Sequence, residues 1–213
     1  MAEKPTKFEK WFRKLRRAER VFYRPLFRLK RFGHTAPYDD RAYIFVSNHL
    51  SILDVTSFVE VTNNPVHFLA KKDLFEKGLM KKFVTKCQCI PVSRDGTDVK
   101  AVMQAMKYLK SGESIAIFPE GTRNKSKEIF LPFKSGAAAI SIKTKTPIVP
   151  IIQLRKPRFL RRSYVAFGEP LEFTDYYGKR LTEEDVKICD AKLTEAMLGL
   201  YNELSDKVNR KKN

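Results

Sequence analysis

Several absences narrow this chain of 213 residues before any motif is read. No stretch approaches the roughly 20 apolar residues that a bilayer-spanning helix needs. The N-terminus carries charge where a secretory leader needs an apolar region, so export is not expected. Three cysteines are too few for a disulfide framework. Cys87 and Cys89 alternate along an apparent strand and so share a face, and Cys189 falls in a helical pattern; all three read as free thiols in a reducing compartment. No Cys or His set at ligand spacing stands beside them, so no metal site is expected. Internal repeats, low-complexity tracts and Pro/Gly-rich linkers are missing, which leaves one domain long enough to bury a sizeable core. The G-x-S-x-G elbow of serine hydrolases is missing too, and Ser51 has no such context.

Acidic residues are scarce: 24 Asp and Glu face 42 Lys and Arg, for a formal net charge of +18. Such an excess calls for a polyanionic partner, whether nucleic acid, an anionic membrane or acidic small molecules. Before residue 34 the imbalance is twelve cations to three glutamates. There Phe8, Trp11, Phe12, Leu15, Ala18 and Phe22 recur at three- and four-residue intervals among Lys10, Arg13, Lys14, Arg17 and Arg20. Pro25 breaks or restarts the helix, and Leu26, Leu29 and Phe32 continue the stripe until Gly33. Two short basic amphipathic helices suit a membrane interface; packing on the protein's own core is the alternative. The expected division is therefore a membrane-associating arm over 1–33 and a domain over 34–213.

Past residue 40 the pattern alternates between the two periodicities. Strands are expected near 43–47, 66–70, 87–93, 114–118, 147–153 and 163–168, and helices near 51–61, 98–111, 135–145 and 182–207. Thr97 is the expected cap of the second helix. Such alternation predicts an α/β fold with a mainly parallel or mixed sheet flanked by helices, whose active-site loops lie beyond the strand ends.

Two segments that follow predicted strands carry chemistry. In the first, Asn48-His49-Leu50-Ser51-Ile52-Leu53-Asp54, a neutral imidazole can take a hydroxyl proton and a carboxylate can orient it. Five positions on a helix rotate a side chain by about 140°, so His49 and Asp54 can meet only if the helix starts after the histidine. Ser51 to Asp54 fits a capping box that provides that start; a plain cap beside a loop histidine is the competing reading. The second segment is Phe118-Pro119-Glu120-Gly121-Thr122-Arg123-Asn124, where glycine permits a tight turn and arginine offers a fork matched to phosphate.

Together these segments resemble the glycerolipid acyltransferases, and within them the branch acting on 1-acylglycerol-3-phosphate, whose N-H-x-x-x-x-D and F-P-E-G-T-R blocks are both present. Ala70-Lys71-Lys72-Asp73-Leu74 and Ile90-Pro91-Val92-Ser93-Arg94 look like halves of a further block, with Asp73 where a glutamate is usual. Thr146 to Ile151 is similar to the last block. The resemblance covers roughly 44–151. It implies transfer of a fatty acyl group from acyl-CoA or acyl-carrier protein to the free hydroxyl of lysophosphatidic acid, giving phosphatidic acid, without a metal or redox cofactor. It further implies His49 as general base, Asp54 as its orienting partner, Arg123 with Lys71 and Arg94 on the acceptor phosphate, and Glu120, Gly121 and Thr122 shaping the glycerol site. Glycerol-3-phosphate or another lysophospholipid is the alternative acceptor. A nucleic-acid-binding role would leave both motif loops without purpose. Work on an amphiphile with no spanning segment implies peripheral or monotopic attachment at the cytoplasmic face of an anionic membrane. Lys134, ahead of an alanine-rich helix, is a further cation that could reach an anionic substrate.

Overall fold

A computed structural model describes residues 6–34, 38–93, 98–134 and 136–210. Its centre is a seven-stranded sheet in the order β1-β7-β6-β2-β5-β3-β4. The strands are β1 Leu29–Gly33, β2 Ile44–Ser47, β3 Val66–Lys71, β4 Ile90–Val92, β5 Ser114–Ile117, β6 Ile148–Gln153 and β7 Ser163–Phe167. From β6 to β4 all pairs are parallel, β7 runs antiparallel to β6, and β1 is parallel to β7. The carboxyl ends of β6, β2, β5, β3 and β4 therefore share one edge with the amino ends of β7 and β1.

Alternation within the strands builds two cores. Ile44, Val46, Ile115, Ile117, Ile148 and Ile152 pack on one face, against α5 (Val99–Lys110), α6 (Ala137–Thr144) and α7 (Glu183–Arg210). Phe45, Ala116, Val149 and Ile151 pack on the other, beneath α1 (Lys7–Ala18), α3 (Val55–Val61) and α4 (Gly78–Lys86). Strands buried on both sides are what a parallel sheet requires.

The N-terminal segment departs from its expected form in three ways. Leu29 to Gly33 is a strand rather than a second helix, paired with β7 from Leu29 opposite Ser163 to Gly33 opposite Phe167. Residues three apart share a helix face but point to opposite faces of a strand, and Leu29 lies in one core while Phe32 packs against the other. Gly33 marks the strand end at φ 76°, where a Cβ would stand 2.1 Å from the carbonyl oxygen of Phe167. The helical part is α1, a π-helical turn at Glu19–Tyr23 and a short α2 at Arg24–Leu26. Most of its stripe also turns inward: Phe8 and Phe12 are buried, and Trp11 and Leu15 pack against the same core. Trp11 stacks on Phe8 and meets Phe83 edge-on. Apolar surface shields better when it faces an apolar sheet than when it waits for a bilayer.

Other boundaries moved for local reasons. α4 was not expected, and Cys87 is its C-cap, so the predicted strand 87–93 shortens to Ile90–Val92. Thr97 lies outside the described residues; the side chain caught capping α5 is Asp98, which accepts from the Ala101 amide. Cys87, Cys89 and Cys189 are free and buried. Among the described residues no helix is long and apolar enough to cross a membrane.

A buried pair of acids joins the π-helical turn to α3. Glu19 and Glu60 are 4% and 2% exposed, and Arg31 of β1 reaches Glu60 Oε2 at 3.2 Å. Neither Glu19 oxygen meets a donor among the described residues, nor does Glu60 Oε1, although the two carboxyls lie within hydrogen-bond reach of each other. A proton held on Glu19 provides one donor, which can pair with a Glu60 oxygen. Burial, then the nearness of Glu60, raises the Glu19 pKa well above its ordinary range. Burial works against Glu60 as well, but its hydrogen bond from Glu19 and the charge of Arg31 outweigh burial and hold it low. The unfolded chain gives up both protons near pH 4.5, whereas the folded pair keeps one to higher pH. Between those limits the native state binds more protons, so stability should fall as pH rises. Glu19→Gln carries its own donor and should flatten that slope and stabilise the protein at mildly alkaline pH. Denaturant unfolding at a series of pH values checks this; an unchanged slope assigns the pH dependence to another group.

Candidate active site

The site is assembled at the sheet edge where β2 and β5 end side by side. Beyond Ser47 the chain continues as Asn48, whose side-chain amide donates to the Gln153 carbonyl at 3.0 Å and whose Oδ1 accepts from the Gln153 amide at 2.8 Å. A buried side chain thus extends the β2–β6 pairing by one step and sets where His49 leaves the sheet. Ser51 is extended and its hydroxyl accepts from the Leu53 amide, opening a 3-10 turn at Ile52–Asp54 that runs into α3.

His49 and Asp54 meet. Nδ1 of His49 lies 3.1 Å from Asp54 Oδ2, and the same oxygen accepts from the amides of Leu50 at 2.5 Å and Ser51 at 2.6 Å. The cap and the contact with His49 coexist, because one fully buried carboxylate makes both. An acceptor at Nδ1 places the proton there in neutral imidazole and leaves Nε2 with a lone pair. The ring lies flat on Phe118, with centroids 4.0 Å apart and planes 18° apart, and Phe118 is braced edge-on by Phe58. The imidazole is fixed by a carboxylate at one nitrogen and by an aromatic face, while its side chain keeps 18% exposure.

The second motif holds the first in place. Glu120 is 2% exposed, and its two oxygens accept from the His49 amide at 2.8 Å and the Leu131 amide at 2.9 Å. The His49 carbonyl accepts from the Asn124 amide at 2.7 Å. Both backbone polar groups of His49 are therefore tied to the 118–124 loop. Burial raises the Glu120 pKa, and the amides of Leu131 and His49 oppose that rise. Expected to shape a substrate pocket, Glu120 spends its carboxylate on backbone instead. Asn48, Phe118 and Asn124 were not singled out for these tasks from sequence; each acts through backbone or ring geometry that a residue string does not display.

The remaining candidates line the same edge. Gly121 turns the loop at φ 64°, and a Cβ there would come within 3.0 Å of Lys134 Cδ, so the lysine stem lies across the glycine. Thr122 and Arg123 are exposed beside it. Lys71 ends β3 and pairs with Asp73; Lys72 bonds the Ser93 hydroxyl and sits 3.6 Å from Asp98. The Asp98 carboxyl also accepts from the Ser93 amide at 2.9 Å, the chief reason its pKa is held down at about 2. Arg94 lies outside the described residues. Since β2, β5, β3 and β4 are consecutive neighbours, three strand spacings of about 4.8 Å put the end of β4 about 14 Å from the end of β2.

A histidine oriented by a buried carboxylate, opening on a ledge of exposed cations, is an arrangement with the chemistry to activate a hydroxyl on an anionic substrate. The comparisons agree: the family model described as Acyltransferase matches residues 28–153, and the chain belongs to that family. The 1-acyl-sn-glycerol-3-phosphate acyltransferase of Bacillus subtilis is 29% identical over 177 residues, covering 80% of this chain and 85% of its own. The mouse 1-acyl-sn-glycerol-3-phosphate acyltransferase alpha is 29% identical over 171 residues, 76% of this chain, and this chain spans 60% of it. The crystal structure of the Thermotoga maritima 1-acyl-sn-glycerophosphate acyltransferase superposes with a TM-score of 0.65 at 22% identity, covering 91% of this chain and 78% of that one. At that identity it attests the fold.

The Glu120 clamp makes a prediction. Glu120→Gln keeps one acceptor and leaves a buried amide facing an N–H₂ group. The loss should be about 1–3 kcal/mol of stability, with a fall in turnover although His49 and Asp54 are intact. Denaturant unfolding measures the first; a variant as stable as the parent would remove Glu120 from this role.

Proposed function

We propose that this acyltransferase moves a fatty acyl group from a thioester, acyl-CoA or acyl-carrier protein, to the free hydroxyl of 1-acylglycerol-3-phosphate, giving phosphatidic acid. The observation that carries the reading is the His49–Asp54 pair, with Nδ1 occupied and Nε2 left for an alcohol. His49 takes the proton as the hydroxyl oxygen attacks the thioester carbonyl, and Asp54 stabilises the imidazolium that forms. Collapse of the tetrahedral intermediate expels the thiolate, which takes the proton back from His49. The thioester is already activated, so the scheme calls for no metal or redox step. The names of the Bacillus and mouse relatives support this acceptor.

Arg123, with Lys71 and Arg94, is assigned to the acceptor phosphate, and Gly121 and Thr122 to the glycerol backbone beside it. Arg123 is exposed and makes no ion pair among the described residues, which leaves its fork open to a ligand. The acceptor is an amphiphile, so the enzyme works at the cytoplasmic face of an anionic membrane without spanning it.

Purified protein, lysophosphatidic acid and a panel of thioesters, with the product identified by mass spectrometry, test the reaction; glycerol-3-phosphate as the preferred acceptor would replace it with the alternative. His49→Ala should cost about 10²–10⁴-fold in rate, the usual worth of general-base help, and a variant retaining more than about a tenth of the rate would refute that role. Arg123→Ala should raise the Michaelis constant for the acceptor far more than that for the thioester, since a charged hydrogen bond to phosphate is worth about 1.5–3 kcal/mol. An equal effect on both substrates would show that the arginine shapes the loop instead.

A further inference from the structure

At the sheet edge that carries His49, two segments far apart in sequence build one surface. The β6–β7 connection reads Leu154-Arg155-Lys156-Pro157-Arg158-Phe159-Leu160-Arg161-Arg162. It rises from the carboxyl end of β6 and returns at the amino end of β7, beside the amino end of β1. The turn from the π-helix to β1 meets it there. The Leu160 amide donates to the Leu26 carbonyl at 2.7 Å, the Ser163 amide to the Phe27 carbonyl at 3.2 Å, and Phe159 packs edge-on to Phe27.

The surface so formed is apolar at its crest and cationic at its flanks. Phe22, Phe159 and Leu160 are 64%, 62% and 57% exposed, and Val21 and Leu26 extend the crest. Leu160 keeps an aliphatic side chain at φ 56°, a conformation that glycine would hold without strain. Below the crest, a cleft of about 400 Å³ is lined by Arg20, Arg24, Arg28, Lys30 and Arg162 with no acidic residue among its walls.

We infer that this face, and not the α1 stripe, docks on an anionic phospholipid leaflet, with the five-cation cleft taking a lipid phosphate headgroup. The inference rests on the reading above that the acceptor is drawn from a membrane. Charge complementarity selects an anionic surface, and the exposed crest selects a lipid one, because a nucleic acid would satisfy the cations and leave Val21, Phe22, Leu26 and Leu160 in water. β6 is the immediate neighbour of β2, so docking here brings the His49 edge down to the leaflet.

The test uses the full chain with vesicles of phosphatidylcholine, with and without phosphatidylglycerol. Phe159→Trp, in a Trp11→Phe background, places a reporter on the crest; its emission should shift to the blue on anionic vesicles and stay unchanged on neutral ones. Phe159→Ser with Leu160→Gly, which relaxes the backbone at 160, should weaken vesicle partition by about tenfold or more. It should leave turnover of a short-chain acceptor dissolved as monomer intact, which also shows that the variant is folded. Undiminished vesicle binding by that double variant, with no response from the crest reporter, overturns the inference while the membrane reading stands. If the parent binds a DNA duplex but no vesicle, the face belongs to nucleic acid and the inference falls. If the parent turns over the dissolved acceptor but ignores vesicles, the inference falls and the acyl-transfer assignment survives. Without turnover of any acceptor, the proposed function itself fails.

Discussion

The buried carboxylate of Glu120 is the constraint on which the rest of the site depends. It grips the amide of His49 on one side and that of Leu131 on the other, joining a loop after β2 to a loop after β5 and to the chain that leads into α6. Without it, the His49 amide would lack its acceptor, and of the two backbone ties between His49 and the 118–124 loop only the Asn124 bond would remain. A charged acceptor with two amide donors tolerates burial because both oxygens are engaged. Asp54 differs: three donors converge on Oδ2, while its buried Oδ1 has no partner among the described residues. Two buried acids thus set the geometry of one base.

What could be read from the residues and what could not divides along the range of the interactions involved. The contact of His49 with Asp54 was open to reading because a capping box and a strand end leave the five-residue spacing one geometry in which they meet, but the choice over a plain cap came from the second motif and the family resemblance. The interior strands were legible because burial on both faces writes continuous apolar runs such as Tyr43 to Val46 and Ile148 to Ile152. Glu120 was not legible as a clamp, because its partners are backbone amides 71 and 11 residues away. Asn48 escaped for the same reason, pairing with backbone 105 residues on.

The N-terminal segment shows how a true periodicity can mislead. Leu26, Leu29 and Phe32 are spaced for a helix, but Arg28 adopts φ 45° and turns the chain, after which β7 offers an open edge. A lone edge satisfies backbone groups better than a short helix of three turns or fewer can. Of the two neighbours open to the α1 stripe, the structure shows the protein's own core for Phe8, Trp11, Phe12 and Leu15, since a basic flank says nothing about what the apolar flank touches. α4 escaped because it is a short helix of nine residues with Val84 its single buried one.

The pairing of β1 with β7 joins residues 29–33 to 163–167, which has consequences for synthesis as well as for the finished molecule. A ribosome delivers α1 and the β1 segment first, but the strand that closes over β1 emerges about 130 residues later. At elongation rates of about 5–20 residues per second, β1 waits several seconds for that partner, and α1 keeps Phe8 and Trp11 uncovered until His67 and Phe83 have emerged, with its cations unscreened by the rest of the chain. During that interval its companions are whatever lies near the exit tunnel: ribosomal RNA, a holdase, or a bilayer surface. The order of the strands thus gives the nascent protein a brief amphipathic phase that the mature fold conceals.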